Sequence, residues 1–301
     1  MSRRGWMLFA AMCVIWGLPY LFIRIAVEHI TPGALVFLRT ALGTVVLLPL
    51  ALARRQVRPV LRRWRWLATF AVVEVITPWL LLSDAERHLN SSLAGLLVAA
   101  VPLIGAILAW FSRGGDRLTG VQFIGLLIGL AGVAALVGID FGNLNLVAVG
   151  EMAVVAVCYA TGPIVLARRL ADLPSLGVIA CSLTLSAVVT APFPAFQPPN
   201  LGRASVVLSV AVLGVVCTAL AFILFFQLIA TIGPTRSTII TYINPAVAVL
   251  LGVLVLNENL TTGMLVGFPL ILFGSILGAR AGSKPLPADR VPVELSPVSR
   301  S

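Results

Sequence analysis

A chain of 301 residues that is 59% hydrophobic, 11% charged and of mean hydropathy +1.06 is not a soluble domain, since such domains carry about a quarter charged residues. Its net charge of +10 comes from twenty Arg and one Lys set in short connections between apolar runs. That placement speaks for membrane orientation and against a nucleic-acid partner.

A hydrocarbon core about 30 Å thick needs about 20 apolar residues per helix. Runs of that kind fall at 6–26, 32–53, 66–84, 91–112, 119–138, 146–167, 174–195, 204–228, 235–256 and 262–281. The start, Met1-Ser2-Arg3-Arg4 before an apolar run, imitates a signal peptide. The run is too long for one, lacks a small-x-small cleavage site and recurs in the second half, so it reads as a retained first helix. The first run carries Trp16, and Arg24 near its end, where it is expected to snorkel as Arg87 does after the third run. The second run holds Arg39 inside the membrane.

The third run carries Glu74 nine positions in, near the midplane, followed one turn later by Pro78 and Trp79. A charge there costs at least about 2.5 kcal/mol, so Glu74 reads either as a proton-carrying or amine-binding carboxylate or as half of a structural ion pair. At about 1.5 Å per residue from the outer face, Arg39 lies roughly 11 Å deep and Glu74 roughly 15 Å, so the two are within pairing range. Ser91, Ser92, Thr235 and Ser237 open the fourth and ninth runs, where free N–H groups favour an anion or a cap. Pro102 and Pro245 interrupt those runs and free carbonyls that only protein or a water-lined cavity can satisfy. Trp110 lies beyond the first of them. Glu151 opens the sixth run, which also holds Tyr159. Phe222 and Phe226 lie in the eighth run and Tyr242 in the ninth. The ridges Gly125-xxx-Gly129 and Gly274-xxx-Gly278 suit close helix contacts or a homodimer face. Cys13, Cys158, Cys181 and Cys217 sit singly in apolar runs and read as small buried residues. His29 and His88 fall in connections and read as solvated. No metal site or cofactor motif stands out.

The chain contains one segment pair twice. Residues 94–127 align with 237–269, setting Pro102 against Pro245 at a spacing of 143, and Asp116 against Glu258 and Gly125 against Gly267 at 142. Trp16 falls against Tyr159 and Ile30 against Leu173, again 143 apart. The fold class that follows is an all-α membrane protein of ten transmembrane helices in two five-helix repeats, 6–138 and 146–281, with a Pro-, Ser- and charge-rich tail at 282–301 that reads as disordered. With the N-terminus inside, seventeen Arg and Lys lie on inner connections or in the tail. Only Arg24, Arg87 and Arg203 lie outside, with Arg39 in the membrane. Both termini are then cytoplasmic and the repeats are inverted, because five is odd.

The stretches WGLPYLFIR, LVFLRTALG, SSLAGLLVAAVPLIGAIL and IGPTRSTIITYINPAVAVLLGVLVLNENLT, in this order and duplicated, resemble the EamA-type branch of the drug/metabolite transporter superfamily over about residues 6–280. The resemblance implies ten helices, a central cavity between the halves, and export or exchange of small metabolites. It also implies a shared structural role for Arg39, and puts Trp79, Trp110, Phe222, Phe226 and Tyr242 on pathway-lining spans. The acid opening the last helix of each half is Asp116 in the first half and Glu258 in the second. The third run, FAVVEVITPWLLL, departs from the commonest pattern.

Sequence and resemblance together predict a multi-pass carrier of the cell (inner) membrane and not an enzyme. It would export small metabolites, amino acids or drugs by proton antiport or exchange, with Glu74 and Arg39 as coupling candidates. The cavity would draw on Glu74, Trp16, Trp79, Pro102, Tyr159, Phe222, Tyr242 and Pro245. A lipid-linked sugar or nucleotide-sugar carrier would want a basic cavity, and only Arg39 is a deep base. An integral membrane enzyme would show converging His, Asp or Ser groups at one interface, and a sensor would need a soluble output domain. The topology is checked with single cysteines in a background lacking the native four. Asn143→Cys reacts with an impermeant thiol reagent from outside the cell and Ser283→Cys does not; the reverse pattern overturns the orientation.

Overall fold

The computed structural model describes residues 2–112, 119–138, 145–233, 237 and 239–280. Asp116, Asn143, Thr235, the tail 282–301 and the Trp110 side chain lie outside that description.

The first span runs Arg3–Ile15 and, after a break at Trp16–Gly17, Leu18–Val27. The second is one helix, Pro32–Ala53, begun by the Thr31 hydroxyl on the Ala34 N–H and by a proline whose missing N–H is no loss at a first helical position. The third is Trp64–Ala85, the fourth Ser91–Val98 with Val101–Ser112, and the fifth Gly120–Gly138. The second half follows with Leu146–Leu170, Ser175–Phe196, Ala204–Ile232, Ile240–Leu256 and Thr262–Arg280. Where residues are described, the spans read from hydropathy coincide with these helices to within a few residues.

The packing repeats with the sequence. Second packs on seventh, fourth on ninth and fifth on tenth, each a span against its own repeat equivalent. Third packs on sixth, and its symmetry mate, eighth, packs on first. Apolar side chains such as Val45, Leu127, Val147, Val188, Leu254 and Phe273 remain exposed around the outside. Lipid tails solvate them as well as a core would, so close packing must come from shape instead.

That shape is clearest between the fifth and tenth spans. A Cβ at Gly132 would lie 2.7 Å from the Ile271 nitrogen and 2.8 Å from the Gly267 carbonyl oxygen, and one at Gly125 would lie 2.7 Å from the Gly278 nitrogen. Backbone faces backbone, so the glycine ridges are used inside the chain and do not form a free face. The four cysteines are free, three of them buried and Cys158 half-buried.

Gly132→Ala puts a methyl against two backbone atoms of the tenth span that cannot yield, and a destabilisation of about 1–3 kcal/mol is expected. Gly150→Ala meets nothing within 4 Å and is expected to be neutral. Thermal unfolding of the two variants in detergent, compared side by side, checks the contrast.

Candidate functional site

The site begins where the helices loosen. In the third span the ladder widens into a π-helical turn at Val72–Ile76, with the Thr77 N–H reaching back to the Val72 carbonyl. Pro78 follows and donates no backbone hydrogen bond, which is why the regular ladder cannot simply continue. In the eighth span a second π-helical stretch covers Val212–Leu220. The two are repeat equivalents: Cys217 stands 143 residues after Glu74. Such bulges concentrate at functional sites.

Glu74 projects from the first of these turns onto the sixth span at Gly162, where a Cβ would collide with Glu74 Oε2. That oxygen is buried and has no hydrogen-bond partner among the described residues. The pairing of Glu74 with Arg39 expected from depth does not occur. Arg39 is buried, donates from Nε to Thr218 Oγ1 at 3.0 Å, and lays its guanidinium over the Trp79 ring at 3.6 Å. Thr218, from the second π stretch, is itself fixed by donating to the Leu213 carbonyl at 2.8 Å. Depth along a helix carried no information about the face each residue presents, and a hydroxyl and a ring captured the guanidinium first. Arg39 and Glu74 both act electrostatically on Tyr159, on the sixth span.

The aromatic candidates divide into two adjoining groups. Trp79 belongs to a core against which Tyr159, Phe222 and Phe226 pack. Trp16, at the break in the first span, stands 6.1 Å from Phe222 and 4.7 Å from Phe225, ring centre to ring centre. Phe225 was not singled out by sequence, nor was buried Tyr20, which shares the field of Tyr159 and Arg39. The Leu18-Pro19-Tyr20 step after Gly17 is the signal that points to the latter.

The matched prolines act differently. At Pro102 the fourth span does break, and the chain turns through Ala99 and Ala100 with short-range bonds to Leu96 and Leu97. Pro245 sits inside one continuous helix, Ile240–Leu256. The ninth span is tied to the first just before it. With its amide nitrogen turned to the carbonyls, Asn244 donates to Cys13 at 3.1 Å and Ile240 at 2.9 Å. Gly17 leaves the room that Val247 fills. Tyr242 is half-buried on this span.

The opening of the fourth span holds an anion, and it comes from the other repeat. Glu258 accepts hydrogen bonds from the backbone N–H groups of Ser91 (2.7 Å) and Ser92 (2.9 Å) and from the Ser92 hydroxyl. Asn90 caps the same helix through the Leu93 N–H at 2.8 Å. Asn257, at φ 54° and ψ 35°, ends the ninth span in the left-handed conformation and sends the Glu258 N–H back to the Gly252 carbonyl. Gly252 is required beneath it, because a Cβ there would strike Glu258, Ser92 and Ser91. Ser237 donates from its hydroxyl to the Gly233 carbonyl at 2.8 Å, a back-bond to the fourth residue before it rather than a helix cap. The side of the molecule carrying this contact is called the Glu258 face below, and the opposite side the Arg63 face. On the latter, Arg63 forks onto both oxygens of Asp172 at 2.7 and 2.8 Å, joining the two halves again.

A cavity of about 440 Å³ opens on the Glu258 face among Thr31, Leu81, Asp84, Arg87, Glu151 and Phe193. Glu151 faces Asp84 there, and one of its oxygens is buried without a partner. Arg87 pairs with Asp84 at 3.1 Å. Arg24 does not simply snorkel: it donates to the Glu86 carbonyl at 2.6 Å. His29 meets Arg203 at 3.3 Å.

Residues 3–138 and 148–279 each match the EamA-like transporter family. The chain belongs to this family. It is 28% identical over 276 residues to the uncharacterized inner membrane transporter YedA of Escherichia coli, with 89% of this chain and 88% of that one covered. It is 23% identical over 280 residues to the uncharacterized transporter YvbV of Bacillus subtilis, covering 90% of each. A solved structure titled only as a crystal structure of protein superposes with a TM-score of 0.64 at 22% identity, covering 93% of this chain and 97% of that one. That likeness speaks for the fold. The chain is therefore a multi-pass membrane protein of the drug/metabolite transporter superfamily, with ten transmembrane helices in two inverted repeats.

The contact between repeats has a measurable size. Charge-assisted hydrogen bonds contribute about 1.5–3 kcal/mol each. Glu258→Ala is expected to lower stability by about 2 kcal/mol and Ser92→Ala by about 1. Because they share one hydrogen bond, the double variant should cost less than the two added together. Strict additivity in thermal unfolding would show that the bond carries no energy.

Proposed function

We propose that this protein is a secondary active transporter that exports small metabolites, amino acids or amphipathic drugs by proton antiport or exchange, with Glu74 as the coupling carboxyl. One observation carries the reading. Glu74 is an acid near mid-membrane with a buried, unpartnered oxygen, set on a π-helical turn beside Tyr159 and Gly162. A structural carboxylate at that depth needs a cation, and its nearest deep cation is engaged elsewhere. An acid left this way is suited to exchange a proton for a cationic or polar substrate group.

Trp16, Trp79, Tyr159 and Phe222 supply apolar and ring surface for an amphipathic substrate next to that acid. Pro102, Pro245 and Tyr242 flank the pathway, and the break at Pro102 gives the fourth span a place to bend. The Glu258 face is taken as the outer face of the cell membrane, with both termini cytoplasmic, on the strength of the charge distribution. In this arrangement the fourth and ninth spans are closed on the outside, and transport alternates by rocking one repeat against the other. A lipid-linked sugar carrier is less well supported, because Arg39 is held by Thr218 and Trp79 and is not free for a phosphate.

Glu74→Gln keeps size and hydrogen-bonding capacity and removes titration. The expected result in proteoliposomes is folded protein, loss of flux driven by a pH gradient, and survival of substrate exchange. Flux with an unchanged response to the gradient would dismiss Glu74 as the coupling group. Arg39→Gln should not restore Glu74→Gln, since the two side chains are not paired.

A further inference from the structure

Glu86 lies one residue beyond the third span on the Glu258 face, with 0% of its surface exposed. Among the described residues neither Oε1 nor Oε2 has a hydrogen-bond partner. Two cations stand within electrostatic reach, and both are engaged. Arg24 directs one nitrogen to the Glu86 backbone carbonyl at 2.6 Å and the other toward Glu28 at 3.6 Å. Arg39 is fixed on Thr218 and Trp79. From the ninth–tenth connection Glu258 acts on Glu86 as a like charge, and from the first span the Tyr20 hydroxyl feels the same field. Asp84 and Arg87, its neighbours in sequence, pair with each other at the exposed side.

An ionised carboxylate buried without a donor costs several kcal/mol, and the neutral acid far less. Burial therefore pushes the Glu86 carboxyl well above the usual carboxylate range. Glu258 pushes it the same way, while Arg24 and Arg39 oppose. The packing that buries Glu86 is the packing that Glu258 holds shut, five and six residues farther along at Ser91 and Ser92.

We propose that Glu86 is a proton-binding site that latches the Glu258 face: the face packs closed only with a proton on Glu86, and opening it releases that proton to water. On opening, Glu258 leaves the two backbone N–H groups and water enters. The Glu86 O–H bond then breaks, the proton passes to water, and the electron pair stays on the hydrated carboxylate. Two ionised acids now face each other, which resists closure until Glu86 takes a proton back. Glu86 stands twelve residues from Glu74, about 18 Å of helix, so it is a second proton site at the entrance. The proposal holds for any substrate and for either orientation in the membrane, and does not depend on Glu74.

The sign is fixed by the upward displacement. Protonated Glu86 favours the closed face at low pH, and that contribution is lost as pH rises through the raised value. Spin labels on His88→Cys and Leu260→Cys, two exposed positions on this face, measure its opening in protein lacking the native cysteines. The measurement is made in detergent, where both faces share one pH, and the label at residue 88 removes the adjacent histidine. The short distance should dominate in acid. As the pH rises the closed-to-open ratio should fall by up to about tenfold per pH unit, the slope of one proton. Glu86→Gln, which imitates the neutral acid, should remain short at every pH, and Glu86→Leu should do the same. A distance that ignores pH overturns the proposal, as does a Glu86→Gln variant that titrates like the parent or a response that follows sodium at fixed pH. Failure of both neutral variants to fold would also overturn it, because protonated Glu86 is itself neutral.

Discussion

In hydrocarbon every backbone donor and acceptor must find its partner within the protein. The sites of this transporter are arranged around the few places where the helical ladder relaxes that demand. The first span breaks at Trp16–Gly17, the fourth at Ala99–Ala100, and the third and eighth widen into π turns at Val72–Ile76 and Val212–Leu220. Each carries or adjoins a candidate group: Trp16, Pro102, Glu74 and Thr218. A side chain on a regular lipid-spanning helix is one of a stack, whereas one on a widened turn is displaced from its register. A further π-helical stretch, Leu166–Leu170, ends the sixth span with Arg168 and Arg169 exposed, while between spans a side-chain hydroxyl can meet what the ladder leaves open. Thr218 is the clear case, with its hydroxyl bound to the Leu213 carbonyl while it accepts from Arg39.

The two repeats share a backbone plan and differ in chemistry. The π turn of the first half presents Glu74; the corresponding position in the second half is Cys217, beside the threonine that anchors Arg39. One acid and one base, both from the first half, thus lie near the centre without neutralising each other. A Glu74–Arg39 pair would lie within the first half, whereas Arg39 on Thr218 reaches across to the second. Separate anchoring leaves the acid available. The stack of Arg39 on Trp79 keeps the guanidinium within the field of Tyr159 without bringing it to Glu74.

Polar contacts that join the halves also lie at the faces. On one side Glu258 binds the N-terminus of the fourth span, where exposed N–H groups and the helix dipole favour an anion. On the other, Arg63 forks onto Asp172. Between them the fifth and tenth spans meet backbone to backbone along their glycines, a contact that needs no polar group. A rigid glycine seam with polar contacts at either end is a construction in which one face can open while the seam stays closed.

Much of this was legible in the sequence. Hydrophobic run lengths set the ten spans, because thickness of the solvent dictates helix length. The spacing of 143 set the repeat, and an odd number of spans per repeat then required inversion. The chemical conspicuousness of Glu74 and Arg39 marked them, since a charge in lipid needs a reason. Tertiary structure alone decided which face each residue presents. It separated Arg39 from Glu74, broke the helix at Pro102 but not at Pro245, and brought Glu258 across the repeats to Ser91 and Ser92. Glu86 was hidden for the same reason. In sequence it belongs to a polar connection, Asp84–Asn90, that reads as solvated; only the assembled bundle takes its carboxyl out of water. Depth along a helix is a one-dimensional quantity and sequence supplies it, whereas burial and partnership depend on the rotation of one helix against another, which only the assembled bundle fixes.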